Sequence, residues 1–359
     1  MQMFTLIAYA VVILTLAVIA LSAFAVLSRY FSDQREARIQ RVRNRMQRHL
    51  DDFLAGKTDA QAVARELGED RDIALSVLID TASRLTRAER TQLRVLFDHF
   101  QFVQKEIADL ESRSWALRIR AATRLGYMSH DKAIPGLLRA LDDEMLDVRL
   151  ATAHALAQLG AVQTLRSILR SLALPAAWPV QRAAEILYEM GTEVIDPLLN
   201  FLSDKSPQSH DPSVVVAVRV LGMLRASRAA PQLSAFLQSP NSELRLSSAK
   251  ALGQMADSRV VDALCASLDD PVWEVRSTVA QALGRLGNPA AMPALGKVLA
   301  DQAWWVRFNA AESLYQLGHE GQAALRTAMV GHADGFARDI SRQVLEEHGV
   351  IPVQEAPSS

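Results

Sequence analysis

A self-similar unit recurs eight times along this chain at a nearly constant spacing of 31 residues, and no other feature constrains the fold as tightly. A dipeptide ahead of each apolar segment sets the register: Leu117-Arg118, Val148-Arg149, Pro179-Val180, Ser213-Val214, Leu244-Arg245, Val275-Arg276, Val306-Arg307 and Ala337-Arg338. The successive steps are 31, 31, 34, 31, 31, 31 and 31 residues. Seven residues after each second position stands a leucine: Leu125, Leu156, Leu187, Leu221, Leu252, Leu283, Leu314 and Leu345. A unit this short cannot bury its own apolar face, so the pattern predicts neighbours stacked into a solenoid.

Each unit reads as two helices. In the sixth, Val260, Val261, Leu264 and Leu268 fall three and four residues apart, forming one apolar stripe over about 257–267. Asp269-Asp270-Pro271 breaks the chain, because proline fits only the first turn of a following helix. The second helix is expected from about Val272 to Leu286, with Val275, Val279, Leu283 and Leu286 inward, and Gly287 closing it in a left-handed cap. Ala280, Ala282 and Gly284 are small enough to admit a neighbouring helix.

The pattern V-R-x-x-A-x-x-A-L-x-x-L-G, with Asp143, Asp270 and Asp301 six residues ahead of the arginine, resembles the short bacterial HEAT-like repeats first described in phycobilisome bilin lyases. The resemblance covers residues 113–349 and implies an all-α fold, an α-α superhelix. It implies no single function, because such repeats occur in enzymes, adaptors and subunits of larger machines. Val180 and Val214 depart from the pattern where Arg is expected, and the connection Ser203 to Ser213 is three residues longer, so a seam or bend is expected near 178–215.

Residues 1–28 carry no charged side chain and are rich in Leu, Ile, Val, Ala and Phe. As a helix they would reach about 40 Å, against roughly 30 Å of hydrocarbon core. Seven arginines follow between Arg29 and Arg48. A single transmembrane helix with its N-terminus outside and its repeats in the cytoplasm follows from the positive-inside rule, at the inner membrane of a bacterium. Ala23-Phe24-Ala25 could pass for a signal-peptide cleavage site, but the basic leading region is missing and the apolar run is long. Residues 29–57 are expected to continue as a basic amphipathic helix. Ile39, Val42 and Met46 would line one side, with Arg35, Arg38, Arg41 and Arg45 over anionic headgroups, a solvated connector being the plainer alternative.

Residues 58–112 are helical but out of register, with a capping box at Thr86-Arg87-Ala88-Glu89 and an apolar stripe through Leu93, Leu96, Phe97, Phe100 and Val103. They are expected to cover the open first face of the solenoid, or to dock a partner. Residues 350–359 are expected to be a disordered tail. The net charge of -1 argues against nucleic acid as a partner.

Catalytic chemistry finds little footing. The eight histidines show no metal-binding pair on one helix face, and the single cysteine, Cys265, lies among apolar neighbours. HEAT-like repeats can host a di-iron hydroxylase built on several His-Glu dyads, whereas only His319-Glu320 occurs here. His154 reads as a satisfied packing residue. No cofactor is expected.

Two periodic sets remain. Arg118, Arg149, Arg245, Arg276, Arg307 and Arg338 would stack from repeat to repeat, each able to bond an Asp or a helix end of the adjoining unit, with Asp147, Glu243 and Glu274 as further acceptors. An unpaired anion-binding stripe is the alternative. All five tryptophans, Trp115, Trp178, Trp273, Trp304 and Trp305, fall two or three residues before the aligned position, along one edge. They either staple each turn to the preceding helix or anchor a protein partner; adjacent Trp304 and Trp305 cannot both point inward and are expected to make the contact. The resulting expectation is a membrane-anchored, non-enzymatic scaffold binding protein partners. The alternatives are an accessory subunit of an integral membrane enzyme or transporter, such as a polysaccharide synthase, and a repeat enzyme of the lyase or hydroxylase kind.

Overall fold

The computed structural model describes residues 39–68, 70–172 and 179–352, with single residues at 21, 29 and 36. The expected transmembrane helix over 1–28, of which only Leu21 is described, falls outside that set, as do Arg35, Arg38, Trp178 and residues 353–359 of the expected tail. Among the described residues no helix is long and apolar enough to cross a membrane. The elements among the described residues are all helical, and the chain divides into two compact units: residues 1–109 with 127–133, and residues 110–126 with 134–359.

The larger unit holds the repeat array apart from residues 127–133. Its second helices are Trp115–Met128, Leu146–Leu159, Val180–Tyr188, Pro212–Met223, Ser242–Met255, Trp273–Leu286, Trp304–Gln316 and Gly335–Glu347. The eight register leucines are all completely buried, so the sequence period is the period of the core. Gly287 closes the sixth with φ 65°, the left-handed cap expected of it. The first helices are more broken than one apolar stripe foretells. In the sixth repeat a 3₁₀ turn at Ser258–Val260, an α-helix at Val261–Ala266 and another 3₁₀ turn at Ser267–Asp269 share the segment.

Glycine sets the spacing of the second helices. A methyl group added at Gly126, Gly222, Gly253 or Gly284 would stand 2.7–2.9 Å from Ala155, Ala251, Ala282 or Ser313 of the following helix, inside contact distance. Ser313 Oγ donates to the Ala280 carbonyl at 2.8 Å across the same junction. In the third repeat the equivalent residue is Tyr188, which is 45 % exposed. The long connection after it is held locally: Lys205 Nζ lies 2.9 Å from Asp211, which accepts from the Ser213 amide. Ser213 Oγ in turn donates to the Leu169 carbonyl at 2.8 Å.

In the smaller unit a helix over 39–54 is packed on Arg71–Ala82. Arg43 reaches Ser76 and pairs with Asp80, and Thr81 Oγ1 donates to Gln47 at 3.2 Å. Met46 and Leu50 are buried. This corrects the expected membrane-facing stripe: Met46, its third member, is spent on the protein's own core. The capping box at Thr86 and Glu89 forms as predicted, and Leu93, Leu96, Phe97, Phe100 and Val103 are all buried. Their stripe is not one helix, because Gln101 takes φ 55° and turns the chain between Arg94–His99 and Phe102–Asp109.

Candidate protein-binding face of the repeats

The arginine set is structural, and its geometry repeats. In each of the six, Nη1 donates to the two backbone carbonyls five and six residues earlier: Ser112 and Arg113, Asp143 and Glu144, Ser239 and Pro240, Asp270 and Pro271, Asp301 and Gln302, His332 and Ala333. The remaining fork of Arg118, Arg245 and Arg276 takes a carboxylate 25 residues on, in the next repeat: Asp143, Asp270 and Asp301. Each of those aspartates also accepts from an amide of its own turn, at Met145, Val272 and Ala303. One aspartate thus holds its own helix start and the preceding repeat together, by bidentate charge-assisted bonds. Burial pushes the Asp301 carboxyl up, but the Arg276 guanidinium and the Ala303 amide outweigh it and hold it below the ordinary range. Glu243 does not join the network; it turns to Arg219 at 3.4 Å, while Asp147 and Glu274 are exposed.

The described tryptophans are solvent-facing, at the starts of the second helices. Trp115, Trp273, Trp304 and Trp305 are 51 %, 41 %, 41 % and 53 % exposed, so the described four do not act as buried staples. Trp304 begins a stripe of every fourth residue, continued by Phe308, Glu312 and Gln316. Its ring stacks on Phe308 at 5.0 Å and meets Trp305 edge-on at 4.7 Å. The stripe opens into a groove of about 380 Å³ lined by Gln281, Phe308, Asn309, Glu312, Gln316 and His348. His348 stacks on Tyr315 and lies 2.9 Å from Glu312. Earlier in the array Gln181, Arg219, Met223, Leu246, Lys250 and Gln254 line a second groove of about 230 Å³. The face combines exposed aromatic edges with amide and charged groups, a chemistry suited to gripping polypeptide.

The other sequence candidates are scattered. His154 is half-buried on this same face, its Nε2 3.0 Å from Glu189, so it is satisfied by a carboxylate of the next repeat instead of by packing in the core. His319 and Glu320 are both exposed. Burial, then the nearby Asp262 charge, raise the Cys265 thiol above its usual value. Among the described residues no three of His, Cys, Asp and Glu are grouped to hold a metal ion. Arg41 and Arg45 are exposed in the smaller unit. Arg307, whose Nε has no acceptor, escaped sequence reading, although the signal was present: position 332 carries His where three other repeats carry Asp.

Stacked two-helix repeats joined by an Arg–Asp ladder define an α-solenoid. The family model for HEAT repeats matches residues 105–189, 195–284 and 261–346, well over half of the chain, and that for the PBS lyase HEAT-like repeat matches 181–204. The chain belongs to the HEAT-repeat family. No curated protein matches it in sequence. Among solved structures it is similar to the complex of CpcE and CpcF of phycocyanin lyase from Nostoc sp., with 20% identity, TM-score 0.32, and 68% of this chain and 94% of that chain covered. A designed armadillo repeat protein in complex with peptide (KR)4 matches at 17% identity and TM-score 0.35, covering 60% of this chain and 99% of that one. Human deoxyhypusine hydroxylase matches at 20% identity and TM-score 0.28, covering 85% and 98%.

Proposed function

We propose that the protein is a membrane-anchored, non-enzymatic scaffold whose HEAT repeats hold a protein partner against the exposed stripe of the second helices. The carrying observation is the cluster of solvent-facing tryptophans Trp273, Trp304 and Trp305 in adjoining repeats, since large aromatics exposed together are typical interface anchors. The uncharged residues 1–28 supply the anchor in an inner membrane, with the N-terminus outside and the repeats in the cytoplasm; Arg35, Arg38, Arg41 and Arg45 follow it beside anionic headgroups.

The test is capture of the full chain from detergent-solubilised native membranes beside a Trp304→Ala/Trp305→Ala variant. A stoichiometric protein partner whose retention falls at least about tenfold in the variant supports the reading, two interface anchors being worth that much or more. Equal retention by both proteins overturns the assignment of this face.

A further inference from the structure

The Arg–Asp ladder is broken at Arg307, an arginine with no aspartate in the next repeat. Arg307 occupies the position of Arg245 and Arg276 and donates Nη1 to Asp301 and Gln302 in the same way. The residue 25 positions on, where Asp270 and Asp301 stand in the preceding repeats, is His332. Its Nδ1 accepts from the Asp334 amide at 3.1 Å, doing the aspartate's capping work. An imidazole that accepts at Nδ1 carries its proton on Nε2, so it offers a guanidinium no further acceptor. The neighbouring Asp301 carboxylate feels the Arg307 charge, but its bonds go to Arg276 and the Ala303 amide and none to Arg307. Arg307 is only 8 % exposed, and its Nε has no hydrogen-bond acceptor. The Phe336 ring stands 4.6 Å from the guanidinium carbon and is itself 62 % exposed. An aromatic face attracts the cation but does not satisfy N–H groups in the guanidinium plane.

We infer that Arg307, roofed by Phe336, is a carboxylate-binding site that takes an aspartate or glutamate side chain of the protein partner in place of the missing internal aspartate. The partner's acid repeats from outside the bond that Asp270 and Asp301 make from within: a bidentate pair to a guanidinium already oriented by two carbonyls. The inference rests on the scaffold reading, because a partner must lie along this end of the array, and it adds that the partner is acidic where it meets the last repeat. Phe336 lies two residues before the aligned position, as Trp305 does one repeat earlier, so the acid would arrive flanked by exposed aromatic surface.

The experiment uses full-length protein in detergent and fluorescein-labelled octapeptides of Gly, Ser and Trp bearing one central Asp or, in the matched control, Asn, read by fluorescence anisotropy. The Asp peptide should bind at least about tenfold more tightly than the Asn peptide, the scale of one charge-assisted bidentate contact. His332→Asp rebuilds the ladder from inside; it should raise the thermal midpoint by a few degrees and abolish the preference for Asp. Arg307→Gln should abolish the preference as well, and because His332→Asp is a stabilising change, a folding failure of Arg307→Gln cannot hide the answer. Equal affinity for the two peptides, or a preference that survives His332→Asp, overturns the inference. Loss of the membrane-derived partner in Trp304→Ala/Trp305→Ala with full retention in His332→Asp would sink the carboxylate site while leaving the scaffold reading intact.

Discussion

Repeats five to seven and repeats three and four are built from the same two-helix unit but fastened by different means. In the later group Arg245 and Arg276 reach across to Asp270 and Asp301. There Gly253 and Gly284 bring successive second helices into backbone contact. In the earlier group Val180 and Val214 replace the arginines, Tyr188 replaces the glycine of the third repeat while Gly222 keeps it in the fourth, and the long connection closes on itself through Lys205 and Asp211. The junctions after repeats five and six are tied by buried charge and close approach; the one after repeat three keeps apolar burial and the Ser213–Leu169 bond. The comparison teaches that the leucine period alone suffices to stack the units, while the arginine and glycine positions decide how rigidly neighbours are joined.

The sharpest way to break this comparison is Arg276→Leu. The pair with Asp301 is largely buried, at 17% and 9% side-chain exposure, and the substitution strands the carboxylate. A loss of about 3–5 kcal/mol is expected in denaturant unfolding, the usual penalty for leaving one buried partner behind. A cost below about 1 kcal/mol, the worth of an exposed pair, would remove the ladder from the account of rigidity.

The same bond predicts a pH dependence. The folded Asp301 carboxyl titrates below its unfolded value of about 3.9, so its contribution is complete above that pH and disappears as pH falls through the lower folded value. Wild-type stability should therefore decline more steeply than that of Arg276→Leu between about pH 5 and 2. Parallel curves in thermal scans across that range would contradict the assignment.

What could be read from the sequence follows from which interactions leave a periodic trace. Leu283 and its equivalents, the Gly287 cap and the Thr86–Glu89 capping box are local or repeated, so spacing exposes them. The Arg276–Asp301 partnership was legible as a class, an Arg with an Asp of the adjoining unit, though not as the two-way bond that also enlists the Ala303 amide. Met46 misleads because helical spacing shows that a stripe is apolar, not what covers it; burial against Arg71–Ala82 is a tertiary fact. The turn at Gln101 is hidden for a similar reason, since nothing in a glutamine announces a positive φ. Exposure of Trp304 and Trp305 was half legible: adjacency guaranteed that one ring faces out, and only the structure shows that both do.

A smaller effect is expected at the glycine contact. In Gly253→Val the new carbon atoms must enter space where even a methyl group would stand 2.7–2.8 Å from Ala282. The helices must separate, at about 1–3 kcal/mol, the ordinary cost of overpacking. A thermal midpoint equal to wild type would mean that the second helices slide apart freely, and the distinction between the two groups of repeats would lose its packing half.

The least effect falls on the other side of the comparison. Tyr188 holds the position of Gly253 in its own repeat yet keeps 45 % of its surface in water, so no close approach depends on it. Removing its ring should change stability by less than about 0.5 kcal/mol, as for an ordinary surface residue. The pair of variants is more informative than either alone, because both alter the same register position. If Tyr188→Ala costs as much as Gly253→Val, the tyrosine is holding the third and fourth repeats together by its own packing, and that junction is fastened differently but no more loosely. If only the glycine responds, the array contains one rigid stretch and one compliant one, and a partner seated along the second helices meets a surface whose end near Trp304 is held fixed by the Arg276–Asp301 pair at the start of that helix.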